Sequence, residues 1–438
     1  MASWKEITDA KIFKKEVMDA IIAEFVPPED ATKITDAFMP IKLVNDDRII
    51  ALRRNGAFGK TSPASLKAEH QHIPMLGGAY IESTTGIWRE SVILDEQDLT
   101  KVRNPVNPKQ LWGQEMMGEA LNLLDIRLNN RIEQLASDVI FNNGYNVAQY
   151  GVNYSYAALV PPKYRIDLGA SPASGFTLAP WIAVPNDNRR WSDTTNSLPL
   201  TDLREVRRYA GRWGMDLVEL WMNSVSAGYI EDNATAQKYI QASASLSEKA
   251  MTVEKIVEVV IGLKGFKVVV DDRFHNEETY FTAASVAGDT TIVVQDSTGI
   301  SLGDTLTLRN GSLQEEDVKV HASTPIDTTT PGAHIITLSA GTVYAYAIGD
   351  RVTLAIPYIP NNKVVLRAKL NQRNSPAQWI SVPSLIKSGK IGNPQPGRYT
   401  WSYFRTDRPP YFAEIGAGIH GGPVVFAPGA WIVMNIAA

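Results

Sequence analysis

Residues 108–144 read PKQLWGQEMMGEALNLLDIRLNNRIEQLASDVIFNNG. Asn107 is a good N-cap, Pro108 takes the favoured first helical position, and nothing stops the helix before Asn143-Gly144. The stretch predicts a helix of roughly 36 residues, about 54 Å long at 1.5 Å per residue. Leu121, Leu128 and Leu135 share one stripe, with Ile132 and Val139 beside it. Arg127, Asn130, Arg131, Glu133 and Gln134 are expected to keep much of the surface polar. A helix this long with one narrow apolar stripe predicts the backbone of an extended molecule, not the middle of a compact one.

On its N-terminal side, residues 57–103 are rich in Gly, Ser, Thr and His. Two extended pieces, HQHIPMLGGAYIE and WRESVILDEQDL, flank the turn-rich Ser83-Thr84-Thr85-Gly86 and predict a long two-stranded hairpin, too polar to form a core alone. Further upstream, Phe13, Val17, Ile21 and Phe25 recur at four-residue spacing in an amphipathic helix over 9–25, which Pro27-Pro28 stops. A segment with so little core of its own reads as an arm that packs on something else.

On the C-terminal side, aromatic strand-like sequence (YGVNYSYAALV) leads to PLTDLREVRRYAGRWG. There a helix opens at Pro199, with Thr201 or Asp202 as the expected cap. Strands DLVELWMN and FKVVVDD and the helix TVEKIVEVVIGL continue an α+β alternation that breaks off near residue 278. From 279 to 355 Thr, Val, Gly, Ser and Asp dominate and no helical period appears, which predicts a small all-β module of five or six strands. It holds a loose repeat, GISLGDTLTL at 299–308 and AYAIGDRVTL at 345–354, found nowhere else in the chain on this reading. Gly303 and Gly349 would permit a turn, and Asp304 and Asp350 would bond back to it. The α+β character then resumes with IPNNKVVLRAKL, so the module reads as an insertion.

The chain has 438 residues, 44% apolar and 21% charged, as in an ordinary folded protein of two or three domains. A net charge of −4 gives no basic field to grip nucleic acid, yet does not exclude a protein that encloses it. The absence of cysteine removes disulfides, thiolate catalysis and cysteine-bound zinc. MASWKEITDAKIFKKEVMDA is charged throughout and is not expected to be a signal peptide, and IVEVVIGLKGFKVVV is too short and charged to span a bilayer.

Candidate chemistry is sparse. GAFGKT at 56–61 resembles the end of a phosphate loop, but Arg54 stands where its first glycine should be. His70 and His72 would share a strand face without further ligands nearby. Asp271-Asp272 ends an apolar strand, where a catalytic carboxylate could sit, although an acidic exit to solvent explains it as well. Glu315, Glu316 and Asp317 lack a spaced calcium loop and read as a solvated face. Arg204, Arg207, Arg208 and Arg212 form a basic ridge on one helix, able to meet a neighbouring subunit or phosphates. No catalytic, cofactor-binding or metal-binding residue is assigned.

Three stretches carry a family resemblance: LLDIRLNNRIEQLASDVIFNNG at 123–144, RWSDTTNSLPLTDL at 190–203, and IPNNKVVLRAK at 359–369 with TDRPPYFAEIGAGIHGGPVVFAPGAWIVMNI at 406–436. Together they resemble the major capsid proteins of tailed double-stranded DNA phages, the lambda-type capsid protein E group. The resemblance implies an α+β Hong Kong 97-type capsid fold with an inserted small all-β domain. Residues 1–56 would be the N-terminal arm, 57–104 the extended loop, and 105–195 the peripheral domain with its spine helix at 107–143. Residues 196–278 and 356–400 would form the axial domain around the insertion at 279–355, and 401–438 would return to the periphery. It further implies a non-enzymatic protein without cofactors that assembles with itself into pentamers and hexamers of an icosahedral shell. That shell would form as a procapsid around scaffolding protein in the host bacterial cytoplasm and expand as DNA enters. Portal, a decoration protein and weakly held double-stranded DNA are the other implied partners of the virion, with no membrane. The alternative is a phage tail or baseplate protein whose β module binds a host glycan or a partner protein. Lys60 and Lys67 are available for a subunit cross-link, which nothing in the sequence requires.

Overall fold

The computed structural model describes residues 32–44, 48–54, 78–94, 108–149, 152–158, 160–169, 171–182, 189–193, 197–238, 252–261, 266–297, 299–369, 377–382, 398–405, 412–426 and 429–437. The chain divides into two compact units, Met1–Asp271 with Ile359–Ala438, and Asp272–Tyr358. The amphipathic stretch at 9–25 lies outside the described residues.

In the larger unit the long helix runs Pro108–Phe141. It ends where Asn143 turns to φ 65° and Gly144 follows, since asparagine and glycine tolerate the left-handed region that closes a helix. Its second half corrects the expectation of one narrow stripe. Leu128, Ile132, Leu135, Ala136, Val139 and Ile140 are buried, and so are Asn129, Glu133 and Ser137. The polar positions are internal because other elements bring partners to them.

The helix packs against the strand Phe412–Val425. That strand is the axis of a five-stranded sheet with Ile41–Leu43, Ala377–Ser381, Arg398–Arg405 and Gly86–Leu94. Its glycine-rich sequence has a steric cause: a Cβ at Gly416 would overlap the Trp401 ring, and one at Gly422 would overlap Tyr156. Aromatic rings fill the space that side chains would otherwise take.

Of the hairpin expected at 57–104, the described residues 78–94 form two strands that do not pair with each other. Strand Gly78–Thr84 pairs antiparallel with Arg48–Arg54, whereas Gly86–Leu94 pairs with Phe412–Val425. The Ser-Thr-Thr-Gly stretch is a crossing point instead of a tip. Thr85 is buried and its Oγ1 bonds His420 Nε2 at 2.8 Å, so the chain is drawn into the sheet there.

A second, six-stranded sheet has the order Lys267–Val270, Asp216–Met222, Lys363–Lys369, Trp431–Asn435, Arg165–Asp167, Thr177–Leu178. Lys363–Lys369 is central, and Val364, Val365 and Leu366 are all buried, the unbroken apolar run expected of a strand covered on both faces. Helices Pro199–Arg212 and Val253–Ile261 pack together beside this sheet.

The smaller unit is all β. A four-stranded antiparallel sheet runs Phe274–Tyr280, Arg351–Pro357, Thr305–Arg309, Glu315–Lys319, and Thr291–Val294 pairs with His334–Thr337. Alternation sets its core: Leu306 and Leu308 point in while Thr305 and Arg309 face out. Ile292, Ile336, Val352 and the stacked rings of Phe281 and Tyr346, 4.9 Å apart, complete it.

Candidate functional site

Among the described residues no group of three His, Asp or Glu could hold a metal, and no helix is long and apolar enough to cross a membrane. GAFGKT, Lys60, Lys67, His70 and His72 lie outside the described residues. Asp271 is buried and its N–H donates to Met222 O at 2.9 Å, which corrects its reading as an exit to solvent; Asp272 beside it is exposed. In the β unit Glu316 accepts hydrogen bonds from Val343 N at 2.8 Å and Tyr346 Oη at 2.7 Å, so it fastens a loop.

The most elaborate polar site in the larger unit holds the short helix Lys33–Phe38. Its own N-cap, Thr32, makes no side-chain cap. Glu133 of the long helix does so from 98 residues away, accepting from Ile34 N at 2.6 Å, Thr35 N at 3.0 Å and Thr35 Oγ1 at 2.8 Å. At the other end Arg367 Nη1 donates to Ala37 O at 3.0 Å while its remaining nitrogens bind Glu219 at 2.7 and 2.8 Å. A carboxylate at the N-terminus and a guanidinium at the C-terminus complement the helix dipole from both sides. Between them Phe38 lies edge-on to Trp221 and Trp431. Helical periodicity placed Glu133 on a polar surface, and only the docked segment reveals its role.

The helix Pro199–Arg212 presents Arg204, Arg208 and Arg212 to solvent and leaves Arg207 half-buried; Arg208 also pairs with Glu205. The cap expected from Thr201 or Asp202 is absent, for the helix starts after Leu198 without a side-chain cap. Asp202 points inward and accepts from Trp181 Nε1 at 3.0 Å and Trp191 Nε1 at 3.3 Å, with Arg189 Nη2 at 3.0 Å. Burial pushes its carboxyl up to about 6, against the opposing pull of Arg189 and the two indoles.

A group whose pKa rises on folding stabilises the fold below its unfolded value and loses that contribution as pH rises through the folded one. Relative to Asp202→Asn, the native protein should therefore gain on the order of 2 kcal/mol in unfolding free energy between pH 7 and pH 4. Urea denaturation of both proteins across that range measures it, and parallel pH profiles would refute the assignment.

In the β unit Gly303 and Gly349 have φ of 86° and 91°, as a type II turn requires at its third position. Asp304 N donates to Ser301 O, and Ser301 N donates back to Asp304 Oδ2 at 2.7 Å. Asp350 and Ala347 make the same exchange, also at 2.7 Å. The device occurs a third time, at Val286–Asp289, with Gly288 at φ 97° and Val286 N donating to Asp289 Oδ2 at 2.8 Å. The repeat is therefore threefold, which corrects the pairwise reading. The third copy escapes notice because VAGDTTIVV shares only Gly-Asp-Thr with the first copy and Gly-Asp with the second.

No protein-family model matches the chain, and no curated protein matches it. Solved structures with a similar trace include one described as a capsid protein of a prophage in E. coli CFT073, at 10% identity, covering 99% of this chain and 97% of that one with a TM-score of 0.46. A phage-related protein of Bordetella bronchiseptica RB50 is similar at 9% identity, covering 97% of each chain, with a TM-score of 0.42. The SrpI encapsulin of Synechococcus elongatus PCC 7942 is similar at 10% identity, covering 95% of this chain and 92% of that one, with a TM-score of 0.38.

Proposed function

We propose that this chain is a major capsid protein of Hong Kong 97 type, a non-enzymatic subunit that assembles with itself into pentamers and hexamers of an icosahedral phage shell. The observation that carries the reading is the convergence of the three stretches that resemble that family. The end of the long helix packs on the glycine-rich strand Phe412–Val425. Trp191 N donates to Ile436 O at 2.6 Å, and Lys363–Lys369 pairs with Trp431–Asn435. Segments far apart in sequence thus form one framework, with a segment near the N-terminus clamped onto it by Glu133 and Arg367.

In this role scaffolding protein and portal are partners during assembly, a decoration protein is a candidate partner afterwards, and the shell encloses double-stranded DNA by weak contact. The virion is the destination, reached by assembly in the host bacterial cytoplasm and expansion from a procapsid. Repetition of modest contacts around a closed shell supplies stability without one dominant interface. Electron microscopy of the purified protein, alone and with scaffold, should show capsomers, shells or tubes. A persistent monomer overturns the proposal, and rings or rods without closed shells favour the tail alternative.

A further inference from the structure

Charge is divided unequally along the chain. Residues 272–358 carry eleven acidic and four basic side chains, net −7, which leaves +3 on the remainder. The outer face of the β unit's larger sheet is locally balanced: Glu278 pairs with Arg351 at 3.3 Å, Glu315 with Arg309 at 3.2 Å, and Asp317 accepts from Thr307 Oγ1. Among the described residues, three further carboxylates, Asp289, Glu316 and Asp350, have no basic partner and bond to loops at one end of that sheet.

The chain enters and leaves beside Phe274 and Pro357, which are register partners; Tyr280, Arg351 and Arg309 mark the opposite end. There three loops are bonded to one another. Gly288 N donates to Thr342 O, Thr342 Oγ1 donates to Val286 O, and Asn310 Nδ2 donates to Ala345 O. Three carboxylates brace them: Asp289 on Val286 N, Asp350 on Ala347 N, and Glu316 on Val343 N and Tyr344 N.

The braced loops display Val286, Leu313, Val343 and Ile348, each 65–71% exposed. Leu313 is the most telling of them. It holds φ 61°, where glycine is the favoured residue, so a large aliphatic side chain is kept both strained and exposed. The left-handed turn closes the hairpin, since Leu313 N donates to Asn310 O and Asn310 N to Gln314 O, but nothing in the β unit's core requires a large exposed aliphatic side chain at that position. A preorganised apolar tip ringed by carboxylates is instead suited to recognition.

We propose that this tip is a docking surface for a second copy of the chain and seats on that copy's basic helix Pro199–Arg212. Charge complementarity selects the occupant. Arg204, Arg208 and Arg212 recur at four-residue spacing along an exposed helix side, and Leu198 at its start is 45% exposed. Arginine offers an apolar stem beneath a planar cation, which matches aliphatic contacts bordered by acids. A contact between two different patches of identical chains is head-to-tail and can close only as a ring or shell. The inference thus rests on the self-assembly reading.

The chain's lack of cysteine makes the test clean. Val343→Cys and Arg208→Cys subunits are co-assembled and treated with a short bis-maleimide. Expected is a covalent dimer at twice the chain mass in the mixture, at least tenfold above either variant alone. A second measurement uses Ile348→Ser, which should leave the melting of the unassembled subunit unchanged while shortening the particle dissociation half-life about tenfold. Particles that form yet give no mixed cross-link, with half-lives insensitive to Ile348→Ser, overturn the docking proposal alone. A chain that stays monomeric overturns the assembly reading and this proposal with it.

Discussion

Replacing Glu133 by alanine should lower the free energy of unfolding by about 3 kcal/mol, an effect far larger than a polar helix residue ordinarily produces. The carboxylate is fully buried and takes three hydrogen bonds from Ile34 and Thr35. Removal strands two backbone N–H groups in a dry environment, and each unsatisfied donor costs roughly 1–3 kcal/mol. The helix Lys33–Phe38 has no other side-chain cap to fall back on. Its undocking also sets an upper limit, because a segment that leaves can satisfy its donors with water. Glu133→Gln keeps one acceptor and should lose about half as much. Hydrogen exchange at Ile34, Thr35 and Met39 reads the event directly, and protection there should collapse in the alanine variant while the Phe412–Val425 strand keeps its own. Unchanged exchange at Ile34 and Thr35 would show that the cap contributes nothing. On the capsid reading the consequence is functional, for an arm that cannot hold its anchor cannot brace a neighbour.

Glu133 also marks where sequence reasoning stops. The extent of the long helix was legible because its signals are local: Pro108 at the start, Asn143-Gly144 at the end, and aliphatic residues at helical spacing between. The Thr- and Val-rich composition from residue 279 was legible because such strands differ from amphipathic helices over any window. The compact unit is nonetheless Asp272–Tyr358, not 279–355, because its first strand Phe274–Tyr280 is too polar to show the change. What could not be read depends on partners remote in sequence. Glu133 looks solvated until residues 34 and 35 arrive; Asp202 looks like a helix cap until Trp181, Trp191 and Arg189 surround it. Thr85 sits in a turn-rich stretch yet is buried against His420. In each case a polar side chain was assigned to water because the tertiary donor or acceptor was invisible. The tip of the β unit was missed for a related reason. Val286, Leu313, Val343 and Ile348 come from three loops, and apolar residues in a β-rich stretch read as core by default.

Excising residues 274–357 and joining Arg273 to Tyr358 should leave a chain that folds and unfolds in one transition, where the intact protein shows two. The geometry of the join is favourable, since Tyr358 N already donates to Arg273 O at 3.1 Å. The flanking residues are held independently of the β unit: Asp271 N bonds Met222 O, and Ile359 O accepts from Asn223 Nδ2 at 3.1 Å. Two neighbouring residues of one strand end therefore pin both sides of the cut, and the loop-closure entropy of a long connection is removed. The excised chain should keep its unfolding free energy to within about 1 kcal/mol, because the β unit buries its own core around Phe281, Leu306 and Ile336. Its net charge should change sign, from −4 to +3 at neutral pH, visible as a reversal of native electrophoretic mobility. Differential scanning calorimetry and circular dichroism decide the first part. An excised chain that fails to fold with several short linkers would mean that residues 274–357 are integral to the larger core. If it folds, the charge reversal acquires a meaning beyond solubility: a subunit stripped of its acidic tip should bind DNA more readily and, lacking its partner for the arginine ridge, form particles that dissociate sooner.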